Sequence, residues 1–216
     1  MSAGDDVLDL LAANDAVLTG THVVFTSGRH GSAYVNKDAI YPHTAAVARL
    51  CAAFADRFRD AGVEVVCGPV LGGVVLAQWT AHHLAAAAGP GAAEVLAVYA
   101  ERADDRKFVL RRGYDRIAAG RRVLVVEDVL TTGGSLRDAV AAVRAAGGEV
   151  VGAAALVNRG GVTAEQVGAP VLHSLATIDL DSWDEAACPL CRDGVPVETR
   201  VGKGAEFLRR RAVGDA

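Results

Sequence analysis

The segment that most constrains the fold of this chain is residues 123–135, which read VLVVEDVLTTGGS. Its first four residues are aliphatic, a pattern typical of a strand buried on both faces of a parallel sheet. Apolar residues then recur at helical spacing from Leu136 to Val143, and Gly147 ends the predicted helix. A second apolar run, residues 150–157, closes a strand–loop–helix–strand unit, so the segment predicts an α/β domain.

The loop in this unit is rich in hydroxyl groups and glycine: Thr131, Thr132, Gly133, Gly134 and Ser135. Backbone N–H groups at a helix N-terminus converge on one point, and the helix dipole favours negative charge there. Glycine lets a phosphate approach the backbone, and Ser135 is a candidate N-cap. The loop contains neither a GxGxxG pattern nor the lysine of a Walker A loop, so neither common nucleotide loop matches.

Two acids, Glu127 and Asp128, precede this loop. Ionised carboxylates repel a phosphate but accept hydrogen bonds from sugar hydroxyls. Together the acids and the loop therefore indicate a ribose 5-phosphate ligand. An ordinary strand-to-helix turn with a surface acid pair explains the same residues about as well, because glycine, threonine and serine are common in turns.

The order of two apolar residues, two acids, two apolar residues and TTGGS resembles the phosphoribosyl pyrophosphate signature of type I phosphoribosyltransferases. The resemblance implies a parallel sheet flanked by helices, forming a core of residues 45–176. It also implies a small hood subdomain built from residues 1–44 and 177–216. In such a fold the turn GPVLGG, residues 68–73, holds the pyrophosphate. The implied phosphoribosyl pyrophosphate site comprises Glu127, Asp128, Val129, Leu130, Thr131, Thr132, Gly133, Gly134, Ser135, Gly72 and Gly73.

Two further segments resemble the orotate phosphoribosyltransferases. Residues 26–42, TSGRHGSAYVNKDAIYP, are similar to their hood segment, which implies that Tyr34 lies over a pyrimidine. Thr26 stands where that family often has a lysine, and Lys37 is a partial replacement. Arg159 follows the strand of residues 150–157, and a guanidinium can bind a carboxylate through two bonds. A solvated arginine at a strand end is the alternative, but the resemblance implies that Arg159 and Thr131 bind orotate.

Residues 101–122 carry eight basic and four acidic side chains, a local charge of 8 − 4 = +4 in a chain of net charge −4. A solvated hairpin is one interpretation. A flexible basic loop that closes over a polyanion explains the charge better beside a phosphate site. The resemblance implies a mobile catalytic loop that reaches the neighbouring subunit of a homodimer, with Arg102 and Lys107 as its catalytic residues and Arg111 and Arg112 as further candidates.

The implied reaction is transfer of ribose 5-phosphate from phosphoribosyl pyrophosphate to orotate, with Mg²⁺ bound mainly by substrate oxygens. Transfer to a purine, or binding of phosphoribosyl pyrophosphate by a non-catalytic regulator, are the alternatives. The acidic net charge argues against a nucleic-acid binder. No apolar run reaches the ~18 residues of a membrane span, and the N-terminus lacks a basic leader, which predicts a cytoplasmic protein without membrane partners.

Four cysteines are present, of which Cys51 and Cys67 lie in apolar runs and are predicted to be core thiols. Cys188 and Cys191 form a CxxC pair within CPLCRDGVP, a sequence that resembles the C-terminus of one bacterial subgroup of orotate phosphoribosyltransferases. A CxxC pair can be half of a zinc site, but no second pair follows it. The sequence therefore predicts no metal site within the chain and assigns the pair no role.

Overall fold

The computed structural model describes residues 3–25, 27–104, 107–178 and 181–214. Its helices are α1 (Ala3–Ala12), α2 (Thr44–Phe58), α3 (Gly72–Ala88), α4 (Tyr114–Ala118), α5 (Gly134–Ala145), α6 (Ala164–Val167), α7 (Pro189–Arg192) and α8 (Gly204–Gly214). Its strands are β1 (Val17–Val24), β2 (His30–Val35), β3 (Val65–Pro69), β4 (Leu96–Arg102), β5 (Phe108–Val109), β6 (Arg122–Leu130), β7 (Glu149–Asn158), β8 (Leu172–Thr177) and β9 (Ser182–Trp183). Short 3-10 turns cover Lys37–Ala39 and Glu185–Ala187.

The larger sheet has the order β5-β4-β3-β6-β7-β8. Neighbouring strands from β4 to β8 are parallel, and the short β5 pairs antiparallel with β4. The predicted α/β fold with helices flanking the sheet is confirmed, but the sheet is mixed rather than wholly parallel. The central strands are buried on both faces, because helices α2 and α3 contribute to a core cluster on one side and α5 to a cluster on the other.

Strand β6 is longer than the aliphatic run that predicted it. Pairing with β7 continues from Arg122 opposite Glu149 to Leu130 opposite Asn158. Both acids are therefore part of the strand. The sequence pattern had placed them after its end. Backbone pairing with β7 holds their positions relative to residues 131–135, the predicted phosphate-binding loop, which is called the phosphate loop below.

The smaller sheet joins the two ends of the chain. Strands β1 and β2 form an antiparallel hairpin, in which Val17 lies opposite Val35 and Val24 opposite His30. Strand β9 adds to β2 from the C-terminal side, with Trp183 opposite His30. Thr26, the residue that stands at the position of the missing lysine, lies outside the described residues.

The carboxyl ends of β3, β6 and β7 meet at one edge of the larger sheet, where open α/β folds bind ligands. The end of β2 lies against this edge, since Tyr34 and Arg159 line the same cleft. Within the described ranges, no helix combines the length and the hydropathy needed to cross a bilayer.

Candidate active site

The acid pair lies at the floor of a cleft of about 330 Å³. Glu127 and Asp128 are 7% and 4% exposed. One carboxylate oxygen of Asp128 accepts hydrogen bonds from the Lys37 ammonium at 2.9 Å and from the Tyr41 hydroxyl at 3.0 Å. The other accepts from the backbone N–H of Val129 at 2.7 Å. Lys37 therefore neutralises the charge of Asp128, and the backbone N–H of Val129 orients its carboxylate.

Glu127 is in a different electrostatic environment. Its carboxylate accepts a hydrogen bond from the backbone N–H of Asp128 at 3.0 Å. Burial, reinforced by the negative charge of Asp128, raises the pKa of Glu127 to about 8. Burial alone would lower the pKa of Lys37, but its hydrogen bond to Asp128 and the surrounding carboxylates raise it overall. A polyhydroxyl ligand would give the buried Glu127 the donors that stabilise its ionised form.

This shift predicts how stability depends on pH. Glu127 holds a proton up to about pH 8 when folded but only to about 4.5 when unfolded, so the folded state binds more protons between these values. The free energy of unfolding should therefore fall as pH rises through this window, by at most about 5 kcal/mol for this group, because each pH unit between 4.5 and about 8 contributes about 1.4 kcal/mol. Urea denaturation of the ligand-free protein and of Glu127→Gln, at several pH values, measures the difference between the two. Parallel pH profiles of the two proteins would contradict the assignment.

The phosphate loop connects β6 to α5 and lines a smaller recess of about 130 Å³. Helix α5 begins at Gly134, and Gly133 is its N-cap with a left-handed φ of 72°. A Cβ on Gly133 would lie 2.7 Å from Cγ1 of Val162, so packing as well as φ requires glycine. Ser135 is therefore not the N-cap that the sequence suggested. It lies within the first turn of the helix and lines both the recess and the cleft.

The turn after β3 lies directly beside the acid pair. A Cβ on Gly72 would lie 2.0 Å from the Asp128 carboxylate and 2.2 Å from the Tyr41 hydroxyl, so this arrangement leaves no room for a side chain. Gly72 lines the cleft, whereas Gly73 packs behind it against Gly68. The two residues predicted to hold pyrophosphate therefore do different things, one lining the cleft and one allowing β3 and α3 to approach closely.

Arg159 lines the same cleft as the acid pair, together with Tyr34 and Thr131. Its guanidinium is 5.3 Å from the centroid of the Phe25 ring. Burial lowers the pKa of Arg159, but an arginine stays protonated at any physiological pH. Among the ion pairs of the described residues, none involves Arg159. A half-buried cation therefore lines the cleft without an ion-pair partner among the described carboxylates.

The turn that carries Arg159 is held by its neighbour Asn158. The buried Asn158 side chain donates to the carbonyl of Val162 at 2.8 Å and accepts from the backbone N–H of Val162 at 3.0 Å. Gly160 packs on the phosphate loop, since a Cβ there would lie 1.7 Å from the carbonyl oxygen of Thr131. The arginine turn and the phosphate loop are therefore in direct contact.

The basic residues predicted to be catalytic lie elsewhere on this chain. The Arg102 guanidinium is 4.5 Å from the centroid of Phe108, at the β4–β5 hairpin. Lys107 and Arg111 line a depression beside α5, and neither they nor Arg102 line the cleft. Arg112 pairs with Glu101 at 3.4 Å. Arg106, part of the same predicted loop, lies outside the described residues.

The sequence patterns missed three residues that shape the cleft: Tyr41, Asn158 and Gly160. Lys37 was considered only as a partial replacement for the lysine missing at Thr26, but in the structure its ammonium donates a hydrogen bond to Asp128. None of these residues belongs to a local sequence motif. Their contacts are made either with residues of other elements or within the turn that follows β7. The glycine pair after Arg159 was the one available signal for Gly160.

A parallel sheet edge that brings a buried acid pair, a glycine-rich strand-to-helix loop and a half-buried arginine to one cleft is typical of transferases that act on sugar phosphates. The Phosphoribosyl transferase domain model matches residues 36–187. The orotate phosphoribosyltransferase of Caldicellulosiruptor bescii is 36% identical over 195 residues, covering 89% of this chain and 94% of that relative. The chain therefore belongs to the phosphoribosyltransferase family, and within it to the orotate phosphoribosyltransferases.

Solved structures agree with this assignment. The orotate phosphoribosyltransferase of Mycobacterium tuberculosis H37Rv in complex with Fe(III) dicitrate aligns with a TM-score of 0.64 at 29% identity, covering 82% of this chain and 97% of that one. The same enzyme in complex with 5-phospho-α-D-ribosyl 1-diphosphate aligns with a TM-score of 0.61 at 28% identity, covering 82% and 96%.

Proposed function

We propose that this orotate phosphoribosyltransferase converts orotate and phosphoribosyl pyrophosphate to orotidine 5′-phosphate and pyrophosphate in the cleft that contains the acid pair and Arg159. The single observation that carries the choice of base is Arg159, a half-buried cation in the cleft with no carboxylate partner among the described residues. Orotate differs from uracil by a carboxylate, which is the group that a guanidinium binds best. A purine offers no anion to this position.

The cleft divides into three subsites. Glu127 and Asp128 accept hydrogen bonds from the ribose hydroxyls, and the backbone N–H groups of residues 130–135 bind the 5-phosphate. The turn that contains Gly72 and Gly73 binds the pyrophosphate beside the acids. Arg159, Thr131 and Tyr34 bind orotate.

The sugar must compete for the Asp128 oxygen that Lys37 and Tyr41 occupy. When ribose binds, its hydroxyl groups replace or share these donors, and Lys37 is released next to the incoming polyanion. Lys37 then contributes positive charge where the pyrophosphate develops negative charge. Asp128 therefore holds Lys37 in place before the substrate binds, and Lys37 stabilises the leaving pyrophosphate during the reaction.

The reaction breaks the bond between ribose C1 and pyrophosphate and forms a bond from C1 to orotate nitrogen through a state with oxocarbenium character. No side chain needs to act as a nucleophile, so the protein positions the reactants, stabilises the leaving group and excludes water. We propose Mg²⁺ as the cofactor. The cleft fits this ion, because Glu127 and Asp128 offer the carboxylate oxygens that Mg²⁺ prefers as ligands, beside the substrate site. When bound, Mg²⁺ neutralises charge on the leaving pyrophosphate.

Pyrophosphate release with orotate, uracil and hypoxanthine tests this function. We expect turnover with orotate, little with uracil and none with hypoxanthine, each in the presence of phosphoribosyl pyrophosphate and Mg²⁺. Asp128→Asn is the matched control, because it should abolish most turnover with every base. Preferential use of hypoxanthine would favour a purine enzyme, and tight binding of phosphoribosyl pyrophosphate without turnover would favour a regulator.

We further propose a homodimer whose basic segment serves the site of the neighbouring subunit. Arg102 and Lys107 lie away from the cleft of their own chain, which supports a role in trans.

The division into a hood of residues 1–44 and 177–216 over a core of residues 45–176 also stays a proposal, supported by the sheet that joins both chain ends. A cytoplasmic location stays a prediction, and fractionation of the native cells would test it.

Subunit mixing tests the shared site. An Arg102→Ala, Lys107→Ala subunit and an Asp128→Asn subunit should each be nearly inactive alone. After random exchange, half of the dimers are heterodimers with one intact site, so the mixture should regain about a quarter of the parental activity. Mass spectrometry of the intact dimers confirms exchange. Exchange without recovery of activity would contradict loop sharing.

A further inference from the structure

The CxxC pair near the C-terminus lies beside two histidines that come from near the other end of the chain. His22 on β1 and His30 on β2 lie beside Cys188 and Cys191, and one ligand atom from each of the four residues lies within 4.8 Å of the other three. Three of the four side chains are buried and Cys191 is half-buried. All four cysteines of the chain are free thiols, so no disulfide occupies this pair.

The distances within this cluster are those of a tetrahedral metal site. The Nε2 atom of His22 is 3.7 Å from each cysteine sulfur, and Nδ1 of His30 is 3.3 Å from the sulfur of Cys191. Bonds of about 2.3 Å to sulfur and 2.0–2.1 Å to nitrogen give tetrahedral edges of roughly 3.3–3.8 Å. The two imidazole nitrogens are 2.8 Å apart, so they need to separate by only about 0.5 Å to admit a cation.

The hydrogen bonds around the cluster orient the lone pair of His22 inward. The Nδ1 atom of His22 is 2.8 Å from the carbonyl oxygen of Val195. A carbonyl only accepts, so Nδ1 carries the proton and Nε2 presents its lone pair to the cluster, the arrangement typical of metal-ligating histidines. The Nε2 atom of His30 is buried and has no hydrogen-bond partner among the described residues, so its polar contacts run through Nδ1 into the cluster.

We infer that His22, His30, Cys188 and Cys191 form a structural Zn²⁺ site. Two thiolates and two imidazoles in a tetrahedral arrangement are the ligand set of zinc, and hard cations such as Mg²⁺ prefer oxygen. Four protein ligands fill the coordination shell, which excludes a catalytic position on the metal. The site is separate from the substrate cleft, whose lining includes none of the four residues.

The proposed metal would tie together segments that are far apart in sequence. Cys188 and His22 are 166 residues apart, and the site joins the β1–β2 hairpin to the segment around α7. The ring of Phe207 on α8 packs edge-on against His30 at a centroid distance of 4.8 Å, so the C-terminal helix also rests on the cluster. Because β2 continues from His30 to the cleft residue Tyr34, zinc would stabilise the strand that carries one wall of the active site.

Metal analysis of the untagged protein, grown with zinc and purified under reducing conditions, tests the site. We expect about one zinc per chain, and a roughly 100-fold or greater loss of zinc affinity in Cys191→Ser and His22→Gln. Cys51→Ala and His82→Ala are the matched controls, since Cys51 is a core thiol and His82 an exposed histidine, and both should keep the metal. Retention of zinc in all four variants would overturn the assignment.

A measurement on the parent protein keeps the test independent of whether the variants fold. After dialysis against a chelator, the melting temperature should fall by roughly 5–15 °C and recover when zinc is restored. Co²⁺ added to the metal-free protein should give the visible bands of a tetrahedral ion and the near-ultraviolet band of thiolate coordination. Absence of stoichiometric zinc together with no Co²⁺ spectrum, or a Cys188–Cys191 disulfide in the purified protein, would overturn the inference.

Discussion

Arg159→Ala should raise the Michaelis constant for orotate strongly while leaving the affinity for phosphoribosyl pyrophosphate nearly unchanged. The guanidinium faces the cleft beside Tyr34 and Thr131, and no described carboxylate neutralises it. Its removal leaves the orotate carboxylate desolvated and unpaired, which costs about 2–5 kcal/mol for a buried charge pair. Steady-state kinetics with each substrate varied in turn, together with calorimetric titration of phosphoribosyl pyrophosphate, separate the two effects.

Two further variants make this result specific. Arg159→Lys should rescue only part of the loss, because an ammonium keeps the charge but lacks the planar fork. Arg59→Ala removes an exposed arginine that pairs with Asp56 far from the cleft, and it should behave as the parent protein does. If Arg159→Ala used orotate as well as the parent, Arg159 would not be the carboxylate ligand and the choice of base would need another explanation.

Gly160→Ala should damage the phosphate site without altering any residue that contacts substrate. The added methyl would lie 1.7 Å from the carbonyl oxygen of Thr131, so the phosphate loop must move away from the arginine turn. We expect the affinity for phosphoribosyl pyrophosphate to fall by about 10- to 100-fold, equivalent to about 1.4–2.7 kcal/mol. Crowding of this kind also lowers the free energy of unfolding by about 1–3 kcal/mol. Calorimetric titration and thermal denaturation measure the two losses.

The neighbouring glycine provides the control. Gly161 has a left-handed φ of 61° but nothing within 4 Å of an added Cβ, and asparagine tolerates that conformation. Gly161→Asn should therefore keep nearly the parental affinity. Equal losses in both variants would show that the whole turn is sensitive, and the specific contact between Gly160 and Thr131 would no longer explain the effect.

The elements that were predicted well are those whose pattern is local. Residues 123–135 combine a doubly buried strand, an acid pair and a glycine-rich helix start, and each of these features is determined by neighbours in the chain. The structure accordingly contains β6, the phosphate loop and α5 in that order. The main local error concerned Ser135, which lies in the first turn of α5, because the left-handed Gly133 is the N-cap in its place.

Predictions about the ends of elements were less accurate, for a tertiary reason. Strand β6 continues through both acids to Leu130 because β7 offers a hydrogen-bonding partner over that whole length. An acidic pair is unfavourable in a strand by itself, so a local pattern places the strand end too early. Similarly, β5 pairs antiparallel with β4 and makes the sheet mixed. The types of its two residues do not predict that pairing.

By itself the sequence determined the α/β class, the order of strand, glycine-rich loop and helix in β6 and α5, and the position of Arg159 directly after β7. These features depend on hydrophobic periodicity and on residues adjacent in the chain. Only the tertiary structure decided that Lys37 pairs with Asp128, 91 residues away, and that His22 meets Cys188 across 166 residues. Such contacts are made when separate elements pack together. The burial and strand pairing of the whole fold set the geometry of these contacts, so a local pattern of residue types does not predict it.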